Sequence, residues 1–509
     1  MRMLARNRFI LLLAVGLVLA VLSFSLQHLQ LMPLGPMAEE VSRGKSRKRV
    51  NPVVHTDAPE LDPITEAYNY CNLPNQTEHT WEGHSLADYK LLSVHVMIRH
   101  GDRYPLYSIP QTKRPAIDCV LSANRKPSHP LLSSFISHMA QGGRGHWDAS
   151  LGSLPRVPSH SSCDLGELTQ TGIVQHLKNG EILHQAYIKR HNLLSTDWLP
   201  KQVWVESTGK SRTLQSGLAL LFGFLPNFPW SRLTVRQQWS TLFCGSSCDC
   251  PARNRYLDLE QKRQYRQRIS DTELERTYIA MATALGVATR TLRAANPIDS
   301  LLCHLCHGLP FPCANPNSNS HPMNPNTQGA CLTLGHFAVI RRQQRDDKRE
   351  RQEVGFYRRY AVLAAYPYLN RTAQRMEAAA KRKRKATEEP VFSLASAHDV
   401  TLAPLLSALG LEGAAFPRFA ARLVFELWKS PEMKEGKGNK GGGGVENAFV
   451  RVLYNGQDLT FDTEFCREHD RHASHPLCPL GNFLHFVRRD MFSIVNATSY
   501  QEACHQTVL

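Results

Sequence analysis

The sequence predicts an α/β fold in which three strand-to-helix junctions share one edge of a sheet. Each junction has the same order: a short apolar run typical of a buried strand, then polar residues, then a helix. The three strand runs are Leu91–Ile98, Gln202–Val205 and Val391–Ala395. Ligands of open α/β sheets bind where the carboxyl ends of the strands meet. We therefore expect the polar residues after these three runs to form one site.

The first junction, Arg99–Pro105, has the composition of a phosphate site. Arg99 and Arg103 offer planar, permanently charged guanidinium groups that bind phosphate oxygens in bidentate fashion. His100 lies between them and is a candidate nucleophile on phosphorus, and Gly101 lets the backbone approach a ligand closely. A surface turn with unrelated charges is the alternative for this segment alone, and the other two junctions weigh against it.

The second and third junctions add one arginine, one histidine and one carboxylate. Glu206–Thr213 contains Arg212 and precedes an apolar helix, and Ser396–Thr401 contains His398 and Asp399 and opens another helix. Helix N-termini carry unpaired N–H groups and a partial positive charge, which suit phosphate. Two structural alternatives stay open: His100 could be a core histidine, and Asp399 could be a helix N-cap.

The motif Arg-His-Gly-x-Arg-x-Pro near the start and His-Asp near the end resembles the histidine acid phosphatases, a branch of the phosphoglycerate-mutase-like fold. Gly166–Thr169 with Gly172, and Arg212 with Thr213, fit the same family. The resemblance extends over nearly the whole chain. It implies a mixed sheet flanked by helices, with a mostly helical cap inserted at about 229–346, and a site that needs neither metal nor cofactor.

The resemblance also implies a role for each site residue. His100 attacks phosphorus and Asp399 protonates the leaving alcohol. The phosphate oxygens are bound by Arg99, Arg103, Arg212 and His398.

Four stretches, together with the apolar N-terminal segment, resemble the vertebrate branch of the family that acts on phosphorylated xylose. They are Arg99–Cys119, Thr208–Pro226, Leu292–Cys306 and Ser396–Trp428. The implied reaction removes the 2-O-phosphate of xylose in the glycosaminoglycan–protein linkage region during proteoglycan synthesis. Two alternatives remain: another lumenal acid phosphatase or inositol-polyphosphate phosphatase, and a non-enzymatic glycan-binding relative. The intact set of site residues argues against the last.

One departure from the family pattern lies beside the predicted site. Many acid phosphatases have Arg-Ser-Thr-Asp before the second site arginine, where this chain has Glu206–Gly209. The departure leaves the predicted phosphate ligands unchanged. We expect it to alter the side of the pocket that contacts the substrate.

The N-terminus indicates a membrane anchor. Phe9–Leu26 is a run of 18 residues without charge, preceded by three arginines. As a helix it would span about 27 Å, close to the bilayer core of about 30 Å. The sequence predicts a cytoplasmic tail at 1–8, a signal-anchor helix at 9–26, a stem at 27–86 and a lumenal catalytic domain at 87–509. A cleaved signal peptide is the alternative, with a weak cleavage site near Ser23.

This topology and the resemblance together predict a single-pass type II protein of the Golgi membrane. The formal net charge is +16, which favours polyanionic partners. A lumenal chain does not meet nucleic acid. Glycosaminoglycan chains and linkage-region glycosyltransferases are the further candidate partners, and the basic run Lys381–Lys385 is a candidate surface for the former.

Cysteine content agrees with an oxidising compartment. There are 13 cysteines, so most are expected to pair and at least one is left over. Cys303–His307 has some likeness to a zinc motif, but no second pair at matching spacing accompanies it, so disulfides are favoured. Three Asn-x-Thr sequons, at Asn75, Asn370 and Asn496, are candidate glycosylation sites.

Several local elements complete the prediction. Thr169 is the expected N-cap of a helix that carries Ile173 and Leu177 on one face. Ala421–Trp428 and Ala448–Tyr454 have the composition of strands. Asn455 and Gly456 then predict a tight turn.

Overall fold

The structure of the chain is a computed structural model. The residues that the structure describes are 62–74, 79–84, 88–142, 146–315, 330–381, 390–411, 416–430, 445–468 and 477–508.

Nine strands in the described part of the chain form one mixed sheet, in the order β2-β4-β3-β5-β1-β6-β7-β8, with β9 paired to β7. They are β1 (Lys90–Arg99), β2 (His146–Trp147), β3 (Val203–Thr208), β4 (Thr234–Gln238), β5 (Phe392–Ala397), β6 (Arg422–Lys429), β7 (Ala448–Tyr454), β8 (Gln457–Asp458) and β9 (Cys478–Pro479). The central strand β1 pairs in parallel with β5 on one side and antiparallel with β6 on the other. The strands from β2 to β1 are parallel, so their carboxyl ends share one edge.

Helices cover both faces of the sheet. They are α1 (Pro63–Cys71), α2 (Leu132–Gln141), α3 (Ala149–Gly152), α4 (Gln170–Leu183), α5 (Ser211–Phe224), α6 (Pro251–Ser270), α7 (Thr272–Leu285), α8 (Thr289–Ala294), α9 (Pro297–Cys306), α10 (Leu334–Val354), α11 (Phe356–Lys381), α12 (Asp399–Ala408), α13 (Leu480–Arg488) and α14 (Tyr500–His505).

The two faces of β1 belong to different cores, because successive side chains of a strand point in opposite directions. Val94, Val96 and Ile98 pack into the core formed with α4 and α5. Met97 packs into the other core, with α11 and α12. A strand buried on both faces has no polar alternation, which is why Leu91–Ile98 is a nearly continuous apolar run.

The predicted strands and turn are confirmed. The three runs that precede the site residues are β1, β3 and β5, and the two C-terminal runs are β6 and β7. Asn455 and Gly456 both have positive φ, at 50° and 84°, as a tight hairpin turn between β7 and β8 requires. Thr169 caps α4, since its side chain accepts a hydrogen bond from the Gly172 N–H.

The mostly helical insertion is present, but its predicted limits need correction. Helices α6 to α10 follow one another, and a separate core that includes Leu285, Leu301 and Phe337 joins several of them. The predicted start at 229 is too early, because β4 belongs to the sheet and pairs with β3. This strand is short, and Arg236 and Gln237 interrupt its apolar pattern, so its composition differs little from that of a loop. At the other end α10 continues past 346 to Val354.

The last part of the predicted stem belongs to the folded domain. Asp62 caps α1 by accepting hydrogen bonds from the Ile64 and Thr65 amides. Glu66 forms an ion pair with Arg341 of α10, at 2.6 Å. Only Ala67 and Cys71 of this helix are buried, so its apolar face was too narrow to stand out from a polar stem.

The predicted tail, anchor and most of the predicted stem lie outside the described residues, as do the sequon at Asn75 and Arg382–Lys385 of the basic run. Lys381, at the start of that run, pairs with Glu377 of α11 at 2.7 Å. Among the residues that the structure does describe, no helix has both the length and the apolar character needed to cross a membrane.

The cysteines form six disulfides and leave Cys303 buried with a free thiol. The pairs are Cys71–Cys306, Cys119–Cys163, Cys244–Cys248, Cys250–Cys504, Cys313–Cys331 and Cys466–Cys478. Two residues of the zinc-like segment, His304 and Cys306, have separate partners. Cys306 is bonded to Cys71, and the His304 ring lies 2.6 Å from the Pro310 carbonyl oxygen.

Both ends of α9 connect the cap to the loop that follows β1, Asp299 from its first turn and His307 from its C-terminal end. Asp299 accepts two hydrogen bonds from Arg103, at 2.8 and 3.2 Å, and a third from the Leu106 amide. His307, directly after the helix, lies 2.7 Å from the Asp102 carboxylate. The Cys71–Cys306 disulfide joins the same helix end to α1. The loop after β1 is therefore held by the cap as well as by the sheet.

The same loop is packed against α4 with no room for side chains. A Cβ atom built on Gly101 would lie 2.5 Å from the Gly172 Cα, and one built on Gly172 would overlap the Asp102 carbonyl oxygen. Asp102 is fixed further by the Gln175 side chain, which accepts its amide hydrogen at 2.8 Å. Two glycines thus allow the backbone contact that sets the position of the loop.

We predict that Gly172→Ala destabilises the protein by about 1–3 kcal/mol, because the added methyl group must displace the backbone of the loop. Gly481→Ala is the matched control, since Gly481 lies in the helix α13 and a Cβ there meets nothing within 4 Å. The control should be neutral or more stable by up to about 1 kcal/mol. Denaturant unfolding measures the free energy of unfolding of both variants. Equal free energies for Gly172→Ala and Gly481→Ala would contradict the close contact.

We predict that the pair of His307 and Asp102 stabilises the folded protein to an extent that depends on pH. Burial alone would lower the pKa of His307, but the Asp102 carboxylate outweighs burial and raises that pKa. The folded state then binds the proton more tightly, so the stabilisation is complete below the unfolded pKa of about 6.5 and is lost as pH rises through the folded pKa. The melting-temperature loss in His307→Gln should be larger at about pH 5.5 than at about pH 9. His485→Gln is the control, since His485 pairs with Asp490 on the surface; an equal loss at both pH values in His307→Gln would contradict the prediction.

Candidate active site

The six predicted site residues lie together at the carboxyl edge of the sheet. Arg99 is the last residue of β1, Arg212 lies in the first turn of α5, and Asp399 opens α12 after β5. His100 and His398 have their ring centroids 5.5 Å apart. Arg103 follows on the loop after β1. Residues from distant parts of the sequence thus meet because the strands that precede them are neighbours in the sheet.

His100 is positioned to offer one particular ring nitrogen. Its backbone amide donates to the Ala397 carbonyl oxygen of β5. Its Nδ1 lies 2.8 Å from the Gly101 carbonyl oxygen, which can only accept, so Nδ1 carries the proton and Nε2 carries the lone pair. Burial, together with the charges of Arg99 and Arg212, holds the pKa of His100 well below its ordinary value. The imidazole is therefore neutral and nucleophilic at Nε2.

Arg99 is held rigidly and is almost fully buried. Its guanidinium lies 4.3 Å from the ring centroid of Phe419 and 4.8 Å from that of Tyr70. One terminal nitrogen donates to the Pro417 carbonyl oxygen at 2.7 Å, and the other lies 3.4 Å from Asp399. The aromatic faces stabilise the cation without consuming its hydrogen-bond donors.

The other two arginines differ in their partners. Arg103 is paired with Asp299 of the cap. Arg212 lies against Gly166, whose φ of +76° and missing side chain leave room for the guanidinium. Burial and the neighbouring Arg103 lower the pKa of Arg212 to about 10, so it stays protonated. Within the described residues, the Nε atoms of all three arginines are buried and have no hydrogen-bond partner.

The second histidine and the carboxylate occupy the start of α12. The Nε2 atom of His398 lies 2.9 Å from the Thr208 hydroxyl at the end of β3, and burial and Arg212 lower the pKa of His398 to about 4. The N-cap position belongs to His398, so Asp399 is the first helical residue. Burial would raise the pKa of Asp399, but Arg99 and Arg103 outweigh burial and hold that pKa below its usual value. Its side chain is 43% exposed, so it faces the opening of the site.

Taken together, the site has an excess of positive charge. Three guanidinium groups face two carboxylates, those of Asp299 and Asp399, and both histidines are neutral at neutral pH. Unpartnered donors and excess charge together fit a tetrahedral oxyanion. The arrangement can bind a phosphate group and place a neutral imidazole beside it.

Sequence reasoning did not identify several residues that build the site. Asp299 lies far along the chain in the cap and belongs to no local motif. Tyr70 and Phe419 contact the Arg99 guanidinium with their rings, and neither lies in a segment with a recognisable motif. The ring centroids of Phe419 and His100 are 6.1 Å apart. Thr208 lies within a segment that drew attention for Arg212, but nothing in the sequence indicated its contact with His398.

The departure at Glu206–Gly209 divides into two parts. Glu206 is buried and faces α11, where Arg371 and Arg375 lie 3.3 and 3.7 Å from its carboxylate. Gly209 is exposed and directly follows Thr208, whose hydroxyl lies 2.9 Å from His398. A Cβ on Gly209 would meet the Gln237 side-chain nitrogen at 2.8 Å. Of the two changes, the one at Gly209 is therefore the one next to the candidate site.

The two sequons within the described residues have different environments. Asn496 is exposed and has a φ of 53° after a short helical turn, a surface position open to a glycan. Asn370 is half-buried within α11, and the hydroxyl residue of its sequon, Thr372, is only 3% exposed.

Comparison with known proteins identifies the family. Residues 90–455 match the model of the histidine phosphatase superfamily, branch 2. A zebrafish (Danio rerio) protein named 2-phosphoxylose phosphatase 1 is 73% identical over 509 residues, covering 100% of both chains. Proteins of the same name from Xenopus tropicalis and Homo sapiens are 52% and 51% identical, each covering 99% of both chains. The chain therefore belongs to the histidine phosphatase superfamily, branch 2.

Proposed function

We propose that this phosphoric monoester hydrolase removes the 2-phosphate of xylose through a phosphohistidine intermediate. The observation that carries the mechanism is the neutral His100 imidazole, whose Nε2 lone pair lies among three arginines. The substrate is taken from the full-length relatives, which are named for phosphoxylose.

In the first half of the reaction His100 Nε2 attacks phosphorus, and the bond to the leaving oxygen breaks. Arg99, Arg103 and Arg212 bind the non-bridging oxygens and stabilise the charge that develops on them, which supplies most of the catalysis in phosphoryl transfer. His398 supplies a further donor, because a bound phosphate adds negative charge beside the imidazole, whose pKa burial and Arg212 keep low in the free site. The leaving oxygen takes its proton from Asp399.

Asp399 must be protonated at that moment, although Arg99 and Arg103 hold its pKa low in the free site. A bound phosphate engages the same arginines and adds negative charge beside the carboxylate, and both effects favour the protonated form. The enzyme therefore works best under mildly acidic conditions. In the second half, Asp399 takes a proton from water, which attacks phosphorus and releases inorganic phosphate and free His100.

We further propose that the catalytic domain is lumenal, in a single-pass type II protein of the Golgi membrane, and acts on the xylose of the glycosaminoglycan–protein linkage region. Six disulfides support an oxidising compartment. The uncharged run Phe9–Leu26 supports the anchor. The net charge of +16 supports glycosaminoglycan chains or linkage-region glycosyltransferases as partners.

We predict that the protein releases phosphate from methyl xyloside 2-phosphate much faster than from inositol hexakisphosphate or a lysophosphatidate. His100→Ala should reduce release to background, and acid-labile phosphohistidine should form in the wild type alone. His485→Ala is the control, since that histidine is on the surface. Preference for the inositol phosphate would overturn the xylose assignment, and turnover by folded His100→Ala would overturn the nucleophile.

We predict that Asp399→Asn slows hydrolysis of xylose 2-phosphate by about 10²–10⁴-fold, while an aryl phosphate loses far less. A basic alkoxide leaving group needs a proton from the enzyme, whereas a phenolate leaves without one. Steady-state rates on the two esters measure the difference. Asp490→Asn, at an exposed surface pair, serves as the control; equal losses on both esters in Asp399→Asn would remove the carboxyl from the acid role.

A further inference from the structure

The rim of the site carries one highly exposed tryptophan, Trp239. Its side chain is 84% exposed, more than that of any other large hydrophobic residue among those described. A tryptophan can bury 150–250 Å² of surface, roughly, so leaving one in water forgoes a large stabilisation. Trp81, by comparison, is 57% exposed and contacts the His84 ring. Within the described residues, Trp239 has no ring contact or hydrogen bond of its own side chain.

The sheet places Trp239 next to the site. Gln238, the residue before it, is the cross-strand partner of Thr208, whose hydroxyl lies 2.9 Å from His398. Neighbouring strands lie about 4.8 Å apart and consecutive Cα atoms 3.8 Å apart, so the Cα atoms of Trp239 and Thr208 are within about 9 Å of each other.

A second connection fixes the segment after Trp239 to the helix that carries the carboxylate. The Thr241 carbonyl oxygen accepts a hydrogen bond from the Thr401 hydroxyl at 2.5 Å, and Thr401 lies in the same helical turn as Asp399. The residues on both sides of Trp239 are thus held by Thr208 and Thr401, which lie next to His398 and Asp399 respectively. An exposed aromatic ring on a backbone held by hydrogen bonds on both sides is suited to binding a ligand.

We propose that Trp239 is the platform on which the pyranose ring of the substrate stacks. This inference rests on the proposed function, in which the leaving group is a xylose bound through its 2-oxygen. In the chair form of β-xylopyranose every oxygen substituent is equatorial, so both faces of the ring are lined by axial C–H groups. Such a face buries apolar surface against an indole while its hydroxyls stay in water. The arginines then recognise the phosphate and Trp239 recognises the ring.

The test compares two esters that share the phosphate and differ in the ring. For Trp239→Ala, kcat/KM on methyl xyloside 2-phosphate should fall about tenfold, mostly through KM, which corresponds to about 1.4 kcal/mol. On glycerol 2-phosphate, which has no ring, the change should stay below about twofold. Trp239→Phe should retain most of the activity on the xyloside, because it keeps an aromatic face. Tyr265→Ala is the control, an aromatic residue of α6 that is 67% exposed.

Equal losses on both esters, or no loss on either, would overturn the platform. Failure of the proposed function gives a different result, in which the wild type hydrolyses glycerol 2-phosphate but not the xyloside. In that case, binding of unphosphorylated methyl xyloside tests the platform. Saturation-transfer NMR should show transfer from the wild-type protein to the xyloside, and Trp239→Ala should lose it. No transfer with the wild type would overturn the platform as well.

Discussion

Three guanidinium groups are buried close together at one edge of the sheet, and compensation of their charges governs how the rest of the site is built. A buried charge is costly unless a partner offsets it. Arg99 has two aromatic faces and the Asp399 carboxylate at 3.4 Å, Arg103 has Asp299, and Arg212 has no ion pair among the described residues. The remaining positive charge suits an anionic phosphate ester and, together with burial, keeps the pKa of His100 low. One electrostatic arrangement therefore favours binding of a phosphate group and keeps the imidazole beside it neutral.

The compensation comes from parts of the chain that lie outside the sheet. Asp299 belongs to the cap, Tyr70 to the short helix α1 before β1, and a disulfide joins the ends of those two helices. The cap is thus a structural part of the phosphate site as well as a cover for it. The close backbone contact between the loop after β1 and α4, at Gly101 and Gly172, holds the same loop from the side of the sheet. The cap holds this loop through side chains, and α4 holds its backbone.

The strands that precede the site and the six candidate residues after them were predictable from the sequence. The strands before the site are buried on both faces, so their composition is distinctive, and the residues after them must meet at one edge. The strand β4 was missed because Arg236 and Gln237 interrupt its short apolar run. The stem boundary was placed too late because α1 buries only two side chains. Asp299 and Phe419 could not be assigned, because their roles depend on tertiary contacts that leave no local pattern.

The position of β1 in the sheet has a consequence for biosynthesis. Its hydrogen-bond partners, β5 and β6, come from the last quarter of the chain. The apolar strand β1, which directly precedes His100, must therefore wait, unpaired on both edges, while the cap and most of the helices are synthesised. Such waiting segments are prone to aggregate. The site residues accordingly cannot come together until synthesis of the chain is nearly finished, and a chain truncated before β6 has an incomplete central sheet.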